Sequence, residues 1–391
     1  MPTPALILCI NSGSSSLKFA LYALDDAREE VLARGAVENL GNPEGHISLQ
    51  VGAQAMRRPT GHAWDHHAAI GAMFELLAAH RIGAPQAVGH RLVSGGPRHL
   101  RHARIDPAFL RDLQAAIPFA PLHLPAALDA IEAVGHHYRQ LPQIACLDTA
   151  FHAAIPEIAA RFALPRPLWD EGLRKYGFHG LSYEYIMSVL PPAMHKGRVI
   201  MAHLGNGASM AAVVNGRPID TTMGLTPAGG FMMGTRSGDL DPGVLLYLLA
   251  HKGCDVSTIE DLVNHRAGLY GVSGGIADME TLLAEPAINT YASQAVDMFC
   301  YQARKAVGAL AAAMNGIDTL IFTGGIGEHA APVRASIAEG LTHLGVLLDV
   351  DANIRNAAVI STAASPVAVC VIPTDEDLMI ARHSHRLLDD L

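Results

Sequence analysis

The chain is poor in charge, in aromatic residues and in cysteine, and each scarcity excludes something. Charged residues make up 17% of its 391 positions and aromatic residues 5%. The 28 Lys and Arg are outnumbered by 37 Asp and Glu, for a net charge of −9, and no basic run occurs. A nucleic-acid partner is therefore not expected. The five cysteines (Cys9, Cys146, Cys254, Cys300, Cys370) are scattered and form no C-x-x-C. That disfavours a disulfide framework or a zinc knuckle and points to the reducing cytoplasm. The start, MPTPALILCINSG, has no basic segment and soon turns polar, unlike a secretory leader. Long apolar runs are missing too. Segments such as 244–250, 306–314 and 367–372 reach about half the length that spans a bilayer, so no membrane partner is expected. What the chain does have is a 50% share of hydrophobic residues. With this length, that predicts a globular protein of two or three domains, at roughly 150 residues each.

Strand and helix patterns alternate along the chain, which predicts an α/β fold. An apolar run over 5–10 leads through a small-residue cluster at 11–16 into a second strand at 17–24. The plan returns almost half the chain later. There 199–204 leads through Gly205-Asn206-Gly207-Ala208-Ser209 into 210–214, and the two loops align with Gly13 on Gly207 and Ser15 on Ser209. A repeat at half-length suggests two related lobes. Further strands are expected at 142–148, 319–323 and 367–372. Helices are expected at 64–79, 125–137, 241–251, 292–314, from Pro332 to about 344, and at 375–389. The 21 histidines invite a metal-site reading. However, the pairs His66-His67 and His136-His137 fall in expected helices, where neighbours do not share a face.

Several segments carry chemistry. Residues 11–18, Asn-Ser-Gly-Ser-Ser-Ser-Leu-Lys, gather small residues, hydroxyls and a cation, which suits a phosphate cradle as well as a polar hairpin turn. They are not a Walker A loop. Residues 324–329, Gly-Gly-Ile-Gly-Glu-His, follow an expected strand and precede an expected helix, a place for an anion. Gly325, Gly327 and Ala330, with Asp349 farther on, also satisfy a dinucleotide fingerprint. Arg91 and Arg236 are flanked by glycines, so each guanidinium is open either to a carboxylate or phosphate ligand or to a structural ion pair. Asp148 ends a strand, as a site acid or an N-cap would. The acids Asp375, Glu376 and Asp377 suit either a cation or a helix N-terminus.

Together these segments resemble the acetate kinase family, the acetate/propionate kinases of the sugar kinase–actin–heat-shock ATPase superfamily. The matching stretches are 11–18, 89–96, 120–123, 148–152, 176–180, 203–209, 220–227, 232–242, 322–328 and 373–382, in family order over nearly the whole chain. The resemblance implies two actin-like, ribonuclease H-like lobes of mixed sheets flanked by helices, with the active site in the cleft between them. The lobes would be 1–149 and 150–374, with a C-terminal helix at about 375–391 packing back on the first. The implied reaction is reversible transfer of the ATP γ-phosphoryl group to acetate, giving acetyl phosphate and ADP, in a cytoplasmic homodimer.

By motif, Asn11 and Glu376 would hold Mg²⁺, with Mn²⁺ as a substitute. Lys18, Ser14 and Ser16 would lie near the phosphates. Arg91 would bind the acetate end, Asp148 would be an acid/base or metal-organising group, and His179 and Arg236 would stabilise the transferring group. The nucleotide would meet His203, Leu204, Gly205, Asn206 and Gly207. It would also meet Gly325, Ile326, Gly327, Glu328 and His329, with Asp278, Met279 and Glu280 near the adenosine. Val93, Leu122, Phe178 and Pro227 would line the methyl pocket, and Val93, where propionate-preferring relatives tend to have alanine, favours acetate.

The chain departs from the family pattern at Ser94, Leu124, Leu181, Tyr183 and His329, in Pro227-Ala-Gly-Gly230, and at Glu280, where arginine is common. Three other readings compete. They are a propionate or short-chain acyl kinase, a nicotinamide dehydrogenase built on Gly325–Ala330, and an actin- or chaperone-like ATPase. The dehydrogenase reading leaves the paired loops and both glycine-flanked arginines unused.

Overall fold

Strand β1 (Ala5–Ser12) is apolar on both sides because both of its faces are covered. Leu8 and Ile10 point into one core, while Ile7 and Cys9 point into another on the opposite face, as the two-residue period of a strand requires. A computed structural model describes residues 4–25, 28–284 and 290–389. The chain divides into two units. The first comprises 1–153, 180–185 and 375–391, and the second 154–179 and 186–374.

The first unit is built on an eight-stranded mixed sheet. Its strands are β1, β2 (Ser16–Asp25), β3 (Arg28–Glu38), β4 (His46–Val51), β5 (Gln54–Pro59), β6 (Ala87–Leu92), β7 (Ala103–Arg104) and β8 (Gln143–Leu147). Their order is β5-β4-β3-β2-β1-β6-β8-β7. β1 pairs antiparallel with β2 and parallel with β6, which in turn runs parallel to β8. Helices His66–Ala79 and Leu124–His137 supply one core; Ile70, Met73 and Val134 pack against Leu8 and Ile10. Helix Glu376–Asp389 covers the other face through Met379, Ile380 and Ala381, beside Ile7, Cys9 and Tyr22.

The second unit has a five-stranded sheet in the order β11-β10-β9-β12-β13. Its strands are β9 (Arg198–Leu204), β10 (Ala208–Val214), β11 (Arg217–Thr221), β12 (Thr319–Thr323) and β13 (Ala368–Val371). β9 and β10 form an antiparallel hairpin and β12 lies parallel to β9, so each unit carries a hairpin followed by a parallel neighbour.

Most of the expected elements fall where the residue pattern puts them, although β6 and the helices Pro107–Ala115, Gly180–Val189 and Val256–His265 were not expected. Two of the expected segments differ. Residues 324–329, expected as a loop, form a short helix of their own (Gly324–His329), and the next helix runs Ala331–Glu339 rather than to 344. Gly340 and the turn Thr342–Leu344 end it early. The antiparallel strands β3–β5 do not stand out in the residue pattern. The exposed positions of β3 and β5 are mostly charged or polar, and β5 has no buried residue.

Candidate active site

In the first unit, three elements deliver charged side chains to one spot. Arg91 lies on β6, Asp148 directly follows β8, and Glu376 opens helix Glu376–Asp389. The parallel register sets Arg91 opposite Cys146, two residues before Asp148. Arg91 donates from Nε (3.0 Å) and Nη2 (2.8 Å) to Asp148 Oδ2, and its Nη1 lies 3.3 Å from Glu376 Oε2. The other oxygen, Asp148 Oδ1, is buried with no hydrogen-bond partner among the described residues.

Burial pushes the Asp148 carboxyl up to about 6; Arg91 pulls it down, but Glu376 and Glu184 push it further up. Burial opposes the Arg91 charge, yet Asp148 and Glu376 outweigh it and hold the guanidinium above its ordinary range. Burial also raises Asp377, helped by Asp375 and Glu376. The main-chain frame is tight. Asp148 N–H donates to Leu92 O (2.9 Å), and Gly180 N–H donates to Asp148 O (2.9 Å). Asn11, at the end of β1, pairs with Lys18 across the hairpin. Between them, Gly13 N–H donates to Ser16 O (2.8 Å), leaving Ser14 exposed at the tip.

In the second unit, His179 caps helix Gly180–Val189 from a left-handed conformation (φ 59). Its Nδ1 lies 2.8 Å from Ser209 Oγ, and its ring stacks on His203 at 4.3 Å between centroids. Gly207 sits against this pair. A Cβ there would stand 3.3 Å from His179 Nε2 and 3.5 Å from Arg236 Nη1. Arg236 Nη1 also donates to Pro227 O at 3.3 Å. Thus His179, His203, Gly207, Ser209 and Arg236 converge. Ser209, which orients His179, was legible only as the loop partner of Ser15 and as the last residue of the 203–209 stretch.

A pocket of about 580 Å³ in the same unit is lined by Gly205, Asn206, Asp278, Met279, Glu280, Leu283, Gly325, Ile326, His329 and Ala330. Eight of the residues assigned to the nucleotide by resemblance meet there, whereas His203, Leu204, Gly207, Gly327 and Glu328 do not line it. Two carboxylates prove to have structural work. Asp278 accepts from Thr281 N–H (2.8 Å) and Thr281 Oγ1 (2.7 Å), capping helix Met279–Ala284. Glu328 Oε1 accepts from Gly324 N–H (2.9 Å) and Thr374 N–H (3.3 Å), so its side chain is committed to the backbone.

Arg334, fully buried, was not foreseen as a support of this site. Its Nη1 donates to Gly327 O (2.8 Å) and Glu328 O (3.0 Å), closing the end of helix Gly324–His329. Its Nη2 donates to Asn353 O (2.7 Å). Gly325 and Gly327 of the dinucleotide fingerprint lie in that short helix, which follows β12 directly, and Ala330 follows its last residue. Of the expected methyl-pocket residues, Val93 and Leu122 are half-buried in the first unit, and Phe178 and Pro227 are buried in the second.

Residues 6–382 match the Acetokinase family. The chain is 46% identical to the acetate kinase of Rhodopseudomonas palustris and 41% identical to acetate kinase 1 of Neisseria meningitidis, covering 98% of each sequence and of itself. Among solved structures, 98% of the chain superposes on the whole of a Porphyromonas gingivalis acetate kinase (37% identity, TM-score 0.87). The same share superposes on the whole of a propionate kinase from Francisella tularensis (35%, TM-score 0.92).

Proposed function

Because this chain belongs to the acetokinase family, with its actin-like two-lobe fold, we propose that it is an acetate kinase. It would transfer the γ-phosphoryl group of ATP reversibly and directly, in line, to acetate, giving acetyl phosphate and ADP. The observation that carries the reading is the full-length likeness to acetate kinases, joined to the Arg91–Asp148–Glu376 cluster. A second reading, a propionate or short-chain acyl kinase, is favoured by the likeness to a propionate kinase.

Acetate is already an anion at neutral pH, since a simple carboxyl group titrates near about pH 4, so it needs no base to attack. Catalysis then rests on alignment and on charge around three equatorial oxygens. Arg91 offers a cation for the acetate carboxylate or for acetyl phosphate. His179, held through Nδ1 at Ser209, and Arg236 offer donors beside Gly207 for the transferring group. Asp148 has little to deprotonate, so a metal- or water-orienting role suits it better than acid/base work. Its unpartnered Oδ1, the Glu376 carboxylate and the Asn11 amide are hard oxygen donors that fit Mg²⁺ or Mn²⁺. When bound, the ion supplies positive charge to the β- and γ-phosphate oxygens. Lys18, Ser14 and Ser16 offer further phosphate contacts, and the pocket beside Asp278–Glu280 takes the nucleoside.

No helix among the described residues is long and apolar enough to cross a membrane. The reading places the enzyme in the cytoplasm, where free thiols such as these five cysteines persist. It also takes the enzyme as a homodimer. Helix Pro242–His251 is apolar almost all round yet has no buried residue, leaving Leu246 and Tyr247 66% and 52% exposed. Such a face fits a second copy.

The test is an acyl-hydroxamate assay over acetate, propionate and butyrate, with ATP, GTP and pyrophosphate as donors. Acetate with ATP should react fastest, and propionate should trail by about 1–3 kcal/mol of discrimination. No hydroxamate from folded protein with any acid would sink the reading.

A further inference from the structure

Outside the cluster that holds Asp148, the first unit holds a second, half-buried polar group. His102 enters just before β7, Glu184 lies on helix Gly180–Val189, and His383 lies on helix Glu376–Asp389. The Nε2 of His102 is 3.2 Å from Glu184 Oε1, and the Nε2 of His383 is 2.7 Å from Glu184 Oε2. The two imidazoles stack, with centroids 3.8 Å apart.

Three such ligand atoms close together invite a metal, but the hydrogen bonds behind them have the wrong polarity. Leu147 N–H donates to His102 Nδ1 at 3.0 Å, and Arg386 Nη2 faces His383 Nδ1 at 3.1 Å. Both Nδ1 atoms are therefore acceptors, and both protons sit on Nε2, aimed at Glu184. A metal-bound histidine shows the reverse, with its free N–H aimed at an acceptor. The charges agree. Burial opposes the Glu184 anion, yet the two imidazole donors hold its pKa at about 2, and burial lowers that of His383, keeping it neutral.

The position of this group gives it a use. Leu147 directly precedes Asp148. Glu184 rides on the helix whose first N–H, from Gly180, holds the Asp148 carbonyl. His383 rides on the helix that opens with Glu376. We propose that His102, Glu184 and His383 are positioning residues. They lock the Leu147–Asp148 peptide and the two helices around it, and so set the aim of the Asp148 carboxylate without touching substrate. The proposal rests on the phosphoryl-transfer reading above only for its kinetic arm.

Three variants separate the roles. His102→Leu removes both hydrogen bonds of the ring. His102→Asn sets an amide oxygen close to where Nδ1 stood, keeping the acceptor for Leu147 N–H but losing Glu184. Glu184→Gln keeps the shape and removes the charge. With ATP and acetate, His102→Leu should lower kcat about tenfold, the weight of one well-placed hydrogen bond, with both KM values within about twofold. His102→Asn should recover most of that loss, and Glu184→Gln should fall between them.

Amide exchange read by NMR gives a second arm that needs no turnover. Leu147 N–H should exchange about tenfold or more faster in His102→Leu than in the wild type, and near the wild-type rate in His102→Asn. The proposal is overturned if folded His102→Leu keeps kcat and Leu147 protection, or if His102→Asn is as impaired as His102→Leu. It is also overturned if wild-type protein binds one Zn²⁺ by calorimetry and His102→Leu does not. Loss of hydroxamate formation in the wild type, with Leu147 protection behaving as expected, would fault the kinase reading and leave the network standing.

Discussion

Arg91 and Asp148 form one buried pair that would serve both stability and the proposed chemistry. The guanidinium spends two donors on a single carboxylate oxygen and forms an ion pair with Glu376 through its third nitrogen, so the acids are held close while Asp148 Oδ1 stays uncommitted. Replacing Arg91 with Ala should lower kcat by roughly a hundred- to a thousandfold. It should also cost about 3–5 kcal/mol of stability, because Asp148 is left buried and unpaired. Arg91→Lys should rescue little, since a point charge cannot reproduce the fork. Hydroxamate kinetics and urea melts check both.

The same pair predicts a pH effect. Asp148 titrates at about 6 in the fold against an ordinary 3.8. As pH rises from about 4 to 6, the folded state therefore holds a proton the unfolded state has lost, and this group's contribution to stability declines. Activity runs the opposite way. If the anion is the working form, kcat/KM in the wild type should fall below about pH 6, and the residual rate of Asp148→Asn should lack that limb. Glu184 has the other sign. Held at about 2 against 4.5, it stabilises at neutral pH and loses that contribution as the medium is acidified from about 4.5 towards 2.

At the scale of elements, two glycines make a matched test. Gly180 opens a helix where a Cβ would collide with the Asp148 carbonyl oxygen, a contact that backbone cannot accept. Gly180→Ala should push the helix from the Asp148 peptide, lowering both the melting temperature and kcat. Gly308 lies within helix Thr290–Ala313 with nothing near its missing Cβ. Gly308→Ala should stabilise by about 0.5–1 kcal/mol with activity unchanged. Differential scanning calorimetry and the hydroxamate assay read both.

The elements also show which patterns reach the sequence. β1, β9 and β12 are continuous apolar runs because both faces are covered, and they were legible. β3–β5 were not, because half their positions face water and the alternation is blurred by charge. The helix at 324–329 was hidden by its glycines, which favour a loop locally. Bonds from Arg334 to the helix end, and between Glu328 and both Gly324 and the distant Thr374, override that preference.

For the whole molecule, the exposed apolar helix Pro242–His251 makes assembly measurable. Leu246→Glu together with Tyr247→Glu should shift the mass in light scattering from two copies to one, while the wild type stays dimeric at the same concentration. A monomeric wild type would overturn the dimer. The internal repetition operates at this scale as well. The loops at 11–16 and 205–209 resemble each other, and each joins a hairpin flanked by a parallel strand.

Sequence alone was enough for the α/β class, the paired loops, the order of the motifs and the kinds of side chain available for phosphate, carboxylate and metal. Those are local properties, written in spacing and residue type. It did not show that Arg91 grips one oxygen of Asp148, that Asp278 and Glu328 are committed to backbone, or that His102, Glu184 and His383 meet. Most of these contacts join residues tens to hundreds of positions apart. They are set by which strands run parallel and which helix covers which face, and no short-range periodicity encodes that.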